Sequence, residues 1–577
     1  MNDATTQPGT VSQRVFAWVP GLRVVGTYQR AWLRRDLVAA LVLTALLVPQ
    51  GMAYAELAGL PAVTGLYTTV TSLVGYAVFG PSRIMVLGPD SSLAPLIATI
   101  IAPLVLGDSP AEAVALAGAL SILAGLLEIA AGVLRLGTVT DLFSMPVRVG
   151  YLNGIALLVL VSQLPKLFGF STDSDSFVAD VTEFVRGVAE GETVAPALAL
   201  GAVAMPAMIF GRRWAPEIPW VLVAVIASIA AVALFDLADD GVSVVGQLPS
   251  GFPSPALPDV AWDDLGALLA GAAAIAIVSV ADTAALSRSF SAKRGERVDQ
   301  NHEAVGLGAA TVLCGLFQGF PTSASSSRTV VAESVGSKTQ LTGMLAAVAI
   351  VILLVGANGL LADLPSSVLA AIVIVASFRL FDLPKMVWLL RVRRTDFLAS
   401  LTAMLGVILI GVLEGLVIAI GVSLAVFIWK RWHPDTAVLG SLGSYRGYHD
   451  VERHPEAELI PGVIIFRFNS PLFFANAPFF QEQVLEAINS APVPIQHLII
   501  SAEPMTDIDS TGAETFDLLL DELDEHDITL SFAALVGPVK NRLRRYGLYD
   551  RIGADHFFPT VDSAVAAARM SDADTAD

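Results

Sequence analysis

The chain is poor in charge and almost without cysteine. Asp, Glu, Lys and Arg together make up 15% of its 577 residues, where soluble proteins carry about a quarter. The single cysteine, Cys314, lies in an apolar stretch, which excludes a disulfide framework and a thiolate metal cluster and leaves a small core residue. No glycine-rich nucleotide loop, no group of metal ligands and no nucleophile–base pairing stands out, so neither an enzyme nor an ATP-driven pump is expected. Basic residues number 34 against 53 acidic ones, and without a basic face nucleic acid is excluded as a partner. The first 35 residues contain no short apolar core ending in a small-residue cleavage site, so no cleaved signal peptide is expected.

What is abundant is apolar sequence. Hydrophobic residues make up 54% of the chain and the mean hydropathy is +0.68. Runs such as LVAALVLTALLVPQGMAYA (37–55) and LAAVAIVILLVGANGLLA (345–362) are long enough to cross a bilayer. About fourteen such segments lie between Asp36 and Trp432. The first seven are 36–56, 61–79, 86–106, 111–135, 145–168, 194–211 and 218–236. The second seven are 264–288, 302–319, 323–336, 340–360, 365–381, 397–411 and 413–431. Basic residues cluster in alternate short loops: Arg30, Arg34 and Arg35; Arg212 and Arg213; Lys293, Arg294 and Arg297; Arg391, Arg393 and Arg394; Lys430 and Arg431. The intervening loops STDSDSF (171–177) and DLADDGVS (236–243) are acidic. The excess of positive charge predicts that both termini are cytoplasmic, consistent with an even number of spans, which puts them on one side.

Two segments are broken at their starts. The third opens FGPSRIMVLGPDSS (79–92) and the tenth GFPTSASSSRT (319–329), at corresponding places in two halves of seven. An odd number of spans per half forces the halves into opposite orientations, and matched interrupted spans point to a transporter's central site. Helix breakers inside a membrane are tolerated only where the freed backbone is buried in protein or lines a cavity. Two half-helices starting near mid-membrane aim unsatisfied N–H groups at one point, and such an arrangement suits an anion.

After Trp432 the apolar signal falls away. From His433 onward there are 23 acidic and nine basic residues, so most of the net charge of −19 sits in this tail. PGVIIFRF (461–468) and HLIISA (497–502) read as strands and AETFDLLLDELDEH (513–526) as an amphipathic helix, together a small cytoplasmic α/β domain.

Several stretches resemble the sulfate permeases and solute carrier 26 anion transporters, the SulP family. They are VPQGMAYAELAGLPAVTGLYTT (48–69), GYLNGIALLVLVSQLPKLFG (150–169), NHEAVGLGAATVLCGLFQGFPTSASSSRT (301–329) and LGVILIGVLEGLVIAIGVS (405–423). FRFNSPLFFANAPFF (466–480) and DIDSTGAET (507–515) resemble the STAS domain that ends these transporters. The resemblance implies a polytopic α-helical membrane protein of fourteen spans, built as a seven-plus-seven inverted repeat with core and gate domains. It also implies an anion site between the third and tenth spans, elevator-like alternating access, and a STAS domain that supports a homodimer and offers a surface to a cytosolic partner. The expected divisions are an N-terminal segment 1–35, a transport domain 36–432, a linker 433–456, a STAS domain 457–570 and an acidic tail 571–577.

The candidate substrate residues are Gln50, Tyr54, Asp90, Ser91, Ser92, Ser325, Ser326, Ser327 and Arg328. A buried arginine among serine hydroxyls suits an oxyanion, although Arg328 paired with an internal carboxylate would be structural. Asp90 is a ligand, a helix cap or an ion partner of Arg328. Gln50 and Tyr54 stand four apart on one face, after Pro49, and match positions that line the substrate pocket in the family. Asp282, read as a lone carboxylate deep in the eighth span, is the candidate coupling-ion residue together with Thr283. It would take H⁺ or, as an oxygen ligand, Na⁺, though Leu286 one turn later weakens the sodium reading. Glu303, at the entrance of the ninth span, is expected to do no more than complement a helix start. Ser510 or Thr511 is a candidate phosphorylation site, or else the hydroxyl cap of a helix.

The function expected is secondary active transport of an inorganic oxyanion across the cell membrane, sulfate first and bicarbonate next, coupled to H⁺ or to Na⁺, with no other cofactor. Rivals are dicarboxylate or chloride transport, uncoupled conduction, and a membrane receptor signalling through the STAS domain.

Overall fold

The structure, a computed structural model, describes residues 20–21, 28–107, 109–136, 144–172, 176–215, 218–294, 298–443 and 447–575, the side chains of 212, 293 and 571–575 excepted. Most of the expected N-terminal segment, Arg297 and the side chains of the acidic tail lie outside the described residues. The chain divides into two units between Ser423 and Leu424.

Every one of the fourteen apolar segments holds a helix. The first half runs α1 (Leu33–Leu57), α2 (Ala62–Phe79), β1 (Leu87–Gly88), α3 (Ala94–Ile101), α4 (Pro110–Val133), α5 (Met145–Phe168), α6 (Phe177–Glu190), α7 (Ala195–Trp214) and α8 (Trp220–Phe235). The second repeats the order: α9 (Leu265–Arg294), α10 (Gln300–Leu316), β2 (Ser323–Ala324), α11 (Ser326–Val335), α12 (Leu341–Gly356), α13 (Ser366–Ser377), α14 (Leu383–Val392), α15 (Arg394–Leu409) and α16 (Val412–Trp432). Among the described residues six helices are individually long and apolar enough to cross a membrane. Two helices fall between the expected segments, α6 and α14, at the same place in each half. Each is too short and too polar to register as a span; α6 repeats Phe177, Val181, Phe184 and Val188 at helical spacing, stacks Phe184 on Phe170 and meets Phe168 edge-on.

Close approach of backbones holds the bundle. In α4, Gly118, Gly125 and Gly132 recur every seventh residue and face Gly315, Gly308 and Asn301 of α10. A Cβ at Gly125 would stand 2.6 Å from the Gly308 carbonyl oxygen, so only glycine permits this spacing. Without a hydrophobic force between helices in lipid, such small-residue seams supply the packing. The lipid side is apolar instead: Leu33, Leu37, Val38 and Leu41 of α1 are exposed, whereas residues 47–55 of the same helix are buried throughout.

At the two breaks the chain is extended for a few residues. β1 and β2 pair antiparallel, Leu87 with Ala324 and Gly88 with Ser323. The Ser325 N–H extends the pairing to the Val86 carbonyl at 3.1 Å, and the Val86 N–H donates to Thr329 Oγ1 at 3.1 Å. α3 and α11 then leave this point as half-spans; at 1.5 Å per residue the ten residues of α11 cover about 15 Å, half a hydrocarbon core.

The second unit carries a six-stranded sheet of order β4-β3-β5-β6-β7-β8. Its strands are β3 (Thr436–Ser441), β4 (Tyr448–Asp450), β5 (Val463–Phe468), β6 (His497–Ser501), β7 (Thr529–Ala533) and β8 (Phe557–Phe558). β5 to β8 are parallel, and side chains alternate between two cores. Ile464, Phe466 and Phe468 face α17 (Ala477–Asn489) and α18 (Ser510–Glu525), while Val463 and Ile465 face α21 (Val561–Thr575). The short α19 (Gly537–Arg545) and α20 (Leu548–Ile552) complete the first of these layers.

Candidate functional site

A cavity of ≈ 500 Å³ lies where the two breaks meet. Gln50 and Tyr54 of α1 line it, with Asp90, Ser91 and Ser92 at the first break and Ser325, Ser326 and Ser327 at the second. Asp282 of α9 lines it as well. These residues come from four separated stretches of the sequence, and the pairing of β1 with β2 is what gathers them.

Gln50 is 5% exposed, and no partner for its amide is found among the described residues. Asp90 serves as a local cap: its Oδ1 accepts from the Ser92 N–H at 3.0 Å and from the Ser92 hydroxyl at 2.8 Å. Its other oxygen stands 3.7 Å from Arg328 Nη2. Ser325 and Ser327 share a hydrogen bond of 3.2 Å between their hydroxyls, and Ser326 is exposed.

Arg328 does not line the cavity. It is 1% exposed and donates to the Pro89 carbonyl at 2.6 Å and the Gly88 carbonyl at 3.2 Å. An arginine at the centre of a membrane helix costs about 3 kcal/mol; here its fork satisfies carbonyls that the first break leaves without helical partners. Thr283 is likewise turned to the scaffold, its Oγ1 accepting from the Ala324 N–H at 3.4 Å.

Asp282 is not the lone carboxylate expected from the sequence. Arg148 of α5 donates to its Oδ1 through Nη2 at 2.8 Å. Arg148, Arg379, Asp382 and Lys385 also line the cavity, and sequence reasoning passed over all four. Arg148 and Arg379 stood inside expected spans, where any ionisable residue marks a pathway; that signal was available. Asp382 and Lys385 sit at the start of α14, a helix with no span-like signature. The cavity is thus lined by three cations and three carboxylates, together with the hydroxyls of Ser91, Ser92, Ser325, Ser326 and Ser327.

Glu303 does more than complement a helix start. It is 1% exposed and accepts hydrogen bonds from Tyr76 Oη at 2.5 Å, Ser287 Oγ at 2.7 Å and Ser82 Oγ. Gln340 Nε2 meanwhile donates to the Ser82 and Met85 carbonyls at 2.7 and 2.9 Å. Together they clamp residues 82–85, the approach to β1, so Glu303 holds the break from outside the cavity. A second buried acid, Glu128 of α4, accepts from Ser279 Oγ at 2.5 Å and also lies outside it.

The comparison with known sequences decides the family. The pattern of the sulfate permease family matches residues 33–422, and that of the STAS domain matches residues 454–564. The chain belongs to the sulfate permease family. A probable sulfate transporter of Mycobacterium tuberculosis is 38% identical over 96% of this chain and 98% of its own length. High affinity sulfate transporter 2 of Stylosanthes hamata is 30% identical over 92% of this chain and 83% of its own. Among solved structures, murine Solute Carrier 26 family member A9, in an inward-facing state, superposes with a TM-score of 0.88 at 22% identity, covering 99% of this chain and 96% of that one. The transmembrane domain of a cyanobacterial bicarbonate transporter gives 0.60 at 23% identity over 68% and 98%. This permease is therefore a multi-pass membrane carrier with a C-terminal STAS domain, and not an enzyme.

In the STAS domain, Ser510 and Thr511 are exposed at the start of α18. The helix is capped by neither hydroxyl. Asp509 Oδ1 takes the Gly512 N–H at 2.7 Å, because a carboxylate one residue upstream reaches the same donor and matches the helix dipole.

Proposed function

We propose that this permease takes up sulfate together with protons, moving a core that carries α3, α9 and α11 against a gate that includes α5 and α13. The observation that carries the reading is the cavity wall of Gln50, Ser91, Ser326 and Ser327 with Arg148 paired to Asp282 across from it. An oxyanion entering between them competes with Asp282 for the Arg148 guanidinium. Once Arg148 turns to the anion, Asp282 loses its counter-charge inside the membrane, and a proton restores neutrality. Anion and proton then travel together because each removes the obstacle to the other. Sodium suits the site less well: the guanidinium stands where a cation would bind Asp282, and the Thr283 hydroxyl is engaged with the Ala324 N–H.

Sulfate is placed before bicarbonate because the relatives similar over nearly the whole chain are named sulfate transporters. The carrier would work as a homodimer in the cell membrane with both termini cytoplasmic. Negative charge added at Ser510 or Thr511 would suit the start of α18 but would crowd Asp507 and Asp509.

Proteoliposomes holding a pH dye test the coupling. Inward sulfate flux should acidify the lumen, and Asp282→Asn should retain sulfate exchange while losing its acceleration by an inward proton gradient. Sulfate uptake indifferent to pH and sodium gradients alike would remove both couplings, and uptake of bicarbonate but not sulfate would reassign the substrate.

A further inference from the structure

The helices that line the central cavity line a second one at their other ends. α5 contributes Arg148 near its start to the first and Lys166 near its end to the second, about 27 Å apart along the helix. α13 contributes Ala376 to the first and Ser366 and Ser367 to the second, and α1 contributes Gln50 and Glu56 respectively. The second cavity has a volume of ≈ 340 Å³ and continues past Glu56 and Ser366 into a lobe of ≈ 350 Å³.

Its polar wall is the start of α13. The preceding residues are pinned by a bridge between Val244 and Pro365, by Ser366 N–H to the Ser243 carbonyl at 2.9 Å, and by Val245 N–H to the Leu364 carbonyl at 3.0 Å. Pro365 caps the helix without a side-chain acceptor, and its carbonyl takes the N–H groups of Val368 and Leu369. Ser367 is left over. Its N–H has no acceptor among the described residues, and its hydroxyl, on a residue 3% exposed, has no hydrogen-bond partner. A buried hydroxyl without a partner is rare and calls for a ligand or water. Lys166 faces the same space and forms no ion pair with Glu56, which also lines it.

We infer that this second cavity is an outer waiting site for the transported oxyanion, held by the Lys166 ammonium and by the Ser367 hydroxyl and N–H at the start of α13. A positive helix end, a cation and an unengaged donor on one wall are the chemistry of oxyanion recognition. Glu56 opposite them limits the affinity, which suits a site that must release its anion onward. The competing reading gives Lys166 only the task of complementing the C-terminal end of α5, where it occupies the last turn. The inference rests on the oxyanion reading above, and its test separates the two.

Ser171 is exposed and lines the cavity, so Ser171→Cys introduces a reporter thiol; the native Cys314 is buried and stays in place. In the full chain in lipid nanodiscs, an anionic methanethiosulfonate should modify that thiol about 10-fold faster than a cationic one, each normalised to free cysteine. Sulfate should slow the reaction saturably. Lys166→Gln and Ser367→Ala, each added separately, should abolish that protection, while Gln50→Ala should leave it intact. Absence of saturable protection, or protection that survives both variants, overturns the outer site. Protection with no sulfate uptake in proteoliposomes would sink the transport reading and keep the site; uptake with no protection would do the reverse.

Discussion

At the first break Asp90 heads an apolar half-helix, APLIATII, whose residues are mostly buried. At the second, Ser326 and Ser327 head a polar one, SSRTVVAESV, which places Arg328 one turn in and pairs Glu333 with Arg294 at 3.5 Å. The backbones meet as equals, paired over two residues, but the side chains divide the work. The first break consumes its own donors, since Asp90 takes both the N–H and the hydroxyl of Ser92. The second spends Arg328 on the first break's carbonyls and leaves Ser326 open to the cavity. A repeated scaffold thus supplies two helix starts, one serving mainly as structure and the other mainly as a donor of hydrogen bonds.

The largest effect is expected of Arg328→Ala. It leaves the buried Gly88 and Pro89 carbonyls without their donor and removes the nearby charge from half-buried Asp90, which should lower stability by about 3–5 kcal/mol and abolish uptake. The fall in thermal midpoint of the purified chain reads the effect, and an unchanged midpoint would show that the breaks hold without the arginine. A smaller difference should separate the serines. Ser326→Ala should raise the half-saturating sulfate concentration by about 10–150-fold, as loss of one hydrogen bond to a charged group requires. Ser92→Ala should raise it by under about 3-fold, because that hydroxyl already serves Asp90. Equal effects in the uptake assay would mean that both breaks contact the anion alike. Smallest of all is Asp90→Asn. The amide oxygen still caps the Ser92 N–H and the distance to Arg328 is long, so stability should change by under about 1 kcal/mol. A larger loss on denaturation would make the Asp90–Arg328 pair a strut of the site.

Much of this was legible before any coordinates, and what was legible was local. Apolar runs, together with two interrupted segments, predicted the fourteen stretches that each hold a helix, because a backbone in lipid must satisfy its own hydrogen bonds. Glycine and proline beside hydroxyls marked both breaks, and the short apolar run VIIFRF marked β5. Membership of the sulfate permease family was readable from motifs spread along nearly the whole chain. Only the tertiary structure decided who partners whom. Arg148 and Asp282 are 134 residues apart, and no periodicity or motif connects them. Arg328 was expected to face the anion and instead serves backbone carbonyls 239 and 240 residues earlier. Glu303 passed for a helix-end charge until Tyr76, Ser82 and Ser287 converged on it. Segment identity follows from solvent preference and backbone rules that act within a few residues. The partner of a buried charge follows from which distant elements pack beside it, and that is settled only when the chain has folded.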